Sequence, residues 1–175
     1  AQRVGGYPKW LDYCEDLVFD LRLQATQAPF DFEPDAIVYF RPRSTLGAFF
    51  KQYYRYARGD GKADLWRKRH AIRYATYLIA APMIALLGFF GHPLAWGLFV
   101  VGGAFYTYRP YRRLPSVMQR LPNPAWLDWF KAILLVPLIR VVGDLAKMLG
   151  YPVGWRWRLQ NRPPEWRVIP EKLNN

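Results

Sequence analysis

The sequence predicts an α/β portion over residues 1–70, followed by an α-helical membrane region built on a two-helix hairpin over residues 71–108. Three observations predict it. Residues 74–108 contain no Asp, Glu, Lys or Arg. The positive charge brackets that stretch: residues 51–73 carry +6 and residues 109–175 carry +8, against −2 for residues 1–50. Ahead of it, helical periodicity alternates with short, Pro-bounded runs of aromatic and β-branched side chains.

Composition narrows the function classes. The chain has 175 residues, a net charge of +12, 52% hydrophobic and 18% aromatic residues. Such aromatic content excludes a disordered, low-complexity chain. A single cysteine, Cys14, excludes a disulfide framework and a cysteine-based zinc site. His70 and His92 are too far apart to form a metal motif. A nucleic-acid binder would gather its basic residues on one solvent face instead of bracketing a hydrophobic stretch.

Gly5-Gly6-Tyr7-Pro8 is a turn signal. Asp12-x-x-Glu15 has the spacing of a capping box, and Leu17–Ala25 then reads as a helix with Leu17, Phe19, Leu21 and Leu23 inward. Phe30–Phe32 and Ala36–Phe40 read as strands. Arg41-Pro42-Arg43-Ser44 ends the second, with Ser44 as N-cap of a helix from Thr45 to about Arg58. Its segment Gln52–Tyr56 also suits an aromatic, basic helix lying on a membrane surface.

Gly91-His92-Pro93 divides the uncharged stretch into Tyr74–Phe90 and Pro93–Tyr108. Each helix would reach roughly 24–26 Å, slightly short of a hydrocarbon core of about 30 Å. Snorkelling Arg73 and Arg109 would make up the difference. Basic residues flank both outer ends and are absent from the turn, so both ends should be cytoplasmic, in a multi-pass plasma-membrane protein. Residues 109–151 read as a basic linker and an amphipathic helix. That helix either lies in the interface or packs on a catalytic domain, and Pro137 would kink or divide it. Residues 152–175 read as a tail with interfacial Trp155 and Trp157, extended beyond Pro163-Pro164.

In this order, Gly5-Gly6-Tyr7, Cys14-Glu15-Asp16-Leu17 and Asp20-Leu21-Arg22-Leu23 resemble the acceptor-side segment of family 2 glycosyltransferases. Ala36–Ser44 and Gln52–Gly59 are similar to the strand, Arg-Pro turn and helix that follow in membrane-associated members. Gln52-x-x-Arg55-Tyr56 resembles their Q-x-x-R-W motif, with Tyr for Trp. The resemblance implies the C-terminal part of a GT-A-like domain and an inverting transfer of sugar from a nucleotide-diphosphate donor. The acceptor would be lipid-linked or an envelope polysaccharide, met at the cytoplasmic membrane face. It implies Asp16 as general base and Glu15 as the residue that orients the acceptor. Gln52, Arg55, Tyr56, Gly5, Gly6, Arg41 and Arg43 would be substrate-binding residues.

The family's divalent cation, Mg or Mn, would have its D-x-D ligands ahead of residue 1. Asp31-Phe32-Glu33 is only D-x-E and follows the Glu15-Asp16 helix. The expectation is therefore a truncated catalytic domain that does not turn over alone. The alternative is a non-catalytic, basic membrane-anchoring module that binds anionic lipid or a partner protein.

Overall fold

A computed structural model describes residues 4–26, 31 and 33–167. It is helical: α1 is Glu15–Ala25, α2 Leu46–Ala63, α3 Arg67–Gly91, α4 Trp96–Met118 and α5 Trp126–Asn161. The chain divides into two compact units, residues 1–67 with 146–175, and residues 68–145.

The expected α/β fold is overturned, because no strand forms among the described residues. Ala36–Phe40 has the β-branched and aromatic composition of a strand but remains irregular. Its local hydrogen bonds are turn bonds, Ala36 N–H to Glu33 O and Ile37 N–H to Asp35 O. Val38 is 88% exposed and Tyr39 93%. Strand composition forms no ladder without a neighbouring edge to pair with. Of the other expected strand, Phe30 and Phe32 lie outside the described residues.

In the first unit the apolar core is small: Leu11, Val18, Ala63, Leu65 and Trp166, with Trp10, Leu17 and Leu21 against it. Helix α1 begins without a capping box. Cys14 is its N-cap in a left-handed conformation with no side-chain cap. Asp12 instead pairs with Lys62 Nζ at 2.7 Å and with Arg58. The N-cap of α2 is Thr45, one residue past Ser44, and its hydroxyl accepts from Ala48 N–H at 3.2 Å.

The second half of α2 packs directly on the last turns of α5. A Cβ on Gly154 would overlap the Arg58 carbonyl and stand 2.8 Å from the Lys62 nitrogen. Backbone-to-backbone contact therefore holds this crossing together. Helix α5 accordingly runs past the expected end at 151 to Asn161. The segment after it docks too: Trp166 Nε1–H donates to Ala63 O at 2.6 Å, and Arg22 Nε–H donates to Trp166 O at 2.9 Å.

In the second unit, α3 contains two π-helical stretches, Thr76–Ala80 and Leu87–Gly91. His92 is extended and accepts from Leu94 N–H at 3.2 Å, which turns the chain into Pro93–Ala95 and α4. The pairs Gly88/Trp96 and Tyr77/Tyr106 set the two helices antiparallel, as expected of a hairpin. Their apolar side chains point outward, with Phe90 85% and Phe105 86% exposed. Helix α3 is long and apolar enough to cross a membrane, with mean hydropathy 1.6 over its most apolar 18 residues. Among the described residues no other helix meets that criterion. Helix α4 is apolar only to Tyr108, before Arg109, Arg112 and Arg113, and α5 carries charge throughout its length.

Candidate functional site

On α2, Ala48, Lys51, Gln52, Arg55 and Tyr56 share one face, because their spacings of three and four residues match the helical period. Together with Tyr13 and Arg43 they line a cavity of about 230 Å³. Four of the sequence-predicted site residues, Arg43, Gln52, Arg55 and Tyr56, are thus brought to one place. Three of them, Arg43, Gln52 and Tyr56, are joined by a chain of hydrogen bonds. Arg43 Nε–H donates to Gln52 Oε1 at 3.2 Å, and Gln52 Nε2–H donates to Tyr56 Oη at 2.8 Å. The Arg55 guanidinium stands 5.5 Å from the Tyr13 ring centroid, within cation–π range.

The electrostatics of the cavity follow from how α2 distributes its cations. Arg58 and Lys62 are engaged by Asp12. That carboxylate gains from the Lys62 hydrogen bond and from both positive charges. These outweigh the upward push of burial and leave its pKa below the ordinary value. Arg43, Lys51 and Arg55 make no ion pair among the described residues. The cavity therefore offers three positive charges, an amide and two phenols, and no carboxylate lines it. That set suits a polyanion carrying a hydroxylated ring.

Glu15 and Asp16 begin α1, two and three residues along from Tyr13, outside the cavity wall. Both occupy the first turn, where the helix dipole favours their charge. Asp16 is exposed, and its Oδ1 accepts from Leu17 N–H at 2.7 Å. The Cys14 thiol ties this helix end to α2 by donating to Tyr56 O at 3.4 Å and to Asp60 Oδ1 at 3.7 Å. Burial, and then the charges of Asp60, Asp16 and Glu15, push that thiol's pKa well up. It stays protonated and acts as a donor, with no thiolate to serve as nucleophile.

The remaining expected residues stand apart. Gly5 and Gly6 form a turn with positive φ, 74° and 63°. The Val4 and Gly6 carbonyls accept from Arg22 Nη1–H at 3.2 and 3.4 Å. Arg41 lies in the exposed segment before α2 and does not line the cavity.

Sequence reasoning missed Lys51 and Tyr13. Lys51 lies four residues before Arg55, so the spacing that grouped Gln52 with Tyr56 also reaches it. Tyr13 belongs to no motif, and only the packing of α1 against α2 brings it in. The cavity's donor set does not fit the implied divalent cation. Among the described residues no group of three or more His, Cys, Asp or Glu is placed to hold a metal ion, so no step is derived through one. No protein-family model matches the chain, and neither a curated protein nor a solved structure does.

Proposed function

We propose that the chain works in an inverting glycosyltransferase of the family 2 kind, attached to the cytoplasmic face of the plasma membrane. In this reading α3 and α4 cross as a hairpin with both ends cytoplasmic. The enzyme moves a sugar from a nucleotide-diphosphate donor onto a lipid-linked or polysaccharide acceptor. One observation carries the reading: three cations without carboxylate partners line a cavity that also presents Gln52, Tyr13 and Tyr56. A diphosphate leaving group needs that charge when its bond to the sugar breaks.

The chemistry follows from the residue types. An acceptor hydroxyl oxygen attacks the anomeric carbon, and the bond from that carbon to the diphosphate oxygen breaks. The bonding pair leaves on the nucleoside diphosphate, where Arg43, Lys51 and Arg55 offset it. The hydroxyl proton passes to Asp16, which is exposed at the start of α1 and so accessible to an acceptor. Glu15 beside it orients the acceptor. Gln52 donates to diphosphate or sugar, and the tyrosine rings stack on sugar or base.

The test combines turnover and binding in the full-length protein. Asp16→Asn should lower sugar incorporation by roughly 10²–10⁴ and leave binding of inorganic pyrophosphate intact. Arg55→Ala should weaken pyrophosphate binding by about tenfold, the scale of a lost charge-assisted hydrogen bond. Full activity in Asp16→Asn would overturn the base assignment. Pyrophosphate binding that ignores Arg55→Ala would overturn the cavity's role and favour the membrane-anchoring module.

A further inference from the structure

Between α3 and α4 runs a slot of about 270 Å³, in which Tyr77, Ala80 and Ile84 face Leu98, Gly102 and Tyr106. Tyr77 and Ile84 are seven residues apart, so the slot follows the helices for about 10 Å. Its walls are apolar except at one end. There the Tyr106 and Tyr77 hydroxyls donate to Asp144 Oδ2 at 2.7 and 3.3 Å, and Arg73 Nε–H donates to Asp144 Oδ1 at 2.7 Å. Asp144 thereby matches the charge of Arg73.

Arg140 has no such match. Its guanidinium lies 4.5 Å from the Tyr106 ring centroid and Nη2–H donates to Tyr106 O at 3.2 Å. It makes no ion pair among the described residues. An apolar channel whose polar end is formed by Tyr106, with the Arg140 guanidinium resting on that same ring, is complementary to an amphiphile with an anionic head.

We propose that this slot holds the head-group-proximal part of one acyl chain of an anionic phospholipid whose phosphate rests on Arg140. The proposal depends on the reading that α3 and α4 cross the membrane, and not on the glycosyltransferase reading. The guanidinium fork matches two phosphate oxygens. A basic pocket between spanning helices on the cytoplasmic side is where anionic head groups collect. The slot has free space at the level of Gly102 and Gly103: a Cβ added at either, both of which line the slot, meets nothing within 4 Å. A side chain added there therefore starts into the channel without a clash at its Cβ.

The full chain is reconstituted into vesicles of equal phosphatidylglycerol and phosphatidylcholine, extracted gently, and its retained lipid counted by native mass spectrometry. The wild type should keep one phosphatidylglycerol, preferred over phosphatidylcholine by about fivefold, the worth of one arginine near a charged surface. Arg140→Gln should erase the preference, and Gly103→Leu should erase retention of both lipids. Should Gly103→Leu fail to fold, Arg140→Gln decides alone. An absent preference in the wild type, a preference that survives Arg140→Gln, or a lipid-free dimer would each overturn the slot. Alkaline extraction separates the two readings. A chain that stays in the membrane without the preference overturns the slot only, whereas a chain that washes off overturns the spanning reading and the slot with it.

Discussion

The two units solve the same problem, a carboxylate beside cations on a helix, in opposite surroundings. In the first unit Asp12 is 45% exposed and is held by Lys62 and Arg58. In the second, Asp144 is 16% exposed and is held by Arg73 and two tyrosine hydroxyls. Around Asp12 the helices bury small residues such as Ala57, Ala63 and Gly154, and the core is modest. Around Asp144 the large apolar side chains of α3 and α4 face outward. Water can screen the first cluster. The second is less exposed, and neighbouring helices supply its polar partners. Burial of charge, more than the count of apolar residues, separates the two environments.

The largest expected effect comes from breaking the cluster that water cannot rescue. Asp144→Ala leaves Arg73 without its carboxylate and the hydrogen-bonded Tyr77–Tyr106 hydroxyl pair without its shared acceptor. The loss should be about 3–5 kcal/mol, the cost of orphaning one member of a buried pair. Asp12→Ala, in the screened cluster, should cost less than about 1 kcal/mol. Thermal midpoints of both variants in the same lipid–detergent micelles check this. Equal losses would show that the two clusters share one dielectric environment.

A second contrast uses glycine and predicts opposite signs. At Gly154, which the Arg58 carbonyl crowds, Gly154→Ala forces the α2–α5 crossing apart and should cost about 1–3 kcal/mol. At Gly102, with open space around it, Gly102→Ala meets no atoms and removes the glycine's excess chain entropy. It should stabilise by about 0.5–1 kcal/mol. Urea or SDS titrations of the pair give both signs. A loss at both positions would mean that α4 packs as tightly as α5.

These contrasts also mark what the sequence made legible. The hairpin was legible, since thirty-five residues without an ionic group, broken by His92-Pro93, are a long-range signal that few other arrangements produce. So was much of the cavity, because Gln52, Arg55 and Tyr56 obey helical spacing. The strands were not, because Ile37, Val38 and Tyr39 state a preference that only a pairing partner can realise. Nor was the length of α5. Pro137 and Pro152 sit within it, and the contact between Gly154 and Arg58, which keeps its last turns in place, links residues 96 apart. The role of Asp12 was misread for a related reason. Its local spacing to Glu15 suggested a cap, whereas Lys62, fifty residues away, claims its carboxylate.

The smallest effect expected is a pH dependence, and it sharpens the comparison from the exposed side. The Asp12 carboxyl lies below its ordinary value of 3.8 despite burial, because Lys62 and Arg58 favour the charged form. A lowered folded-state pKa contributes stability that is present above the unfolded value and lost as pH falls through the folded one. The first unit should therefore weaken as pH drops below about 4. Asp64, lowered by its hydrogen bond to Arg67, adds to the same slope. Asp12→Asn removes one titrating group, so it should flatten the acid side of the stability–pH curve while costing little at pH 7. At 45% exposure the flattening should stay under about 1 kcal/mol. Denaturant midpoints at pH 6 and pH 3, for wild type and Asp12→Asn, measure it. An unchanged slope would mean that Lys62 and Arg58 release Asp12 in solution. A flattening well above that ceiling would mean that Asp12 is as shielded from water as Asp144.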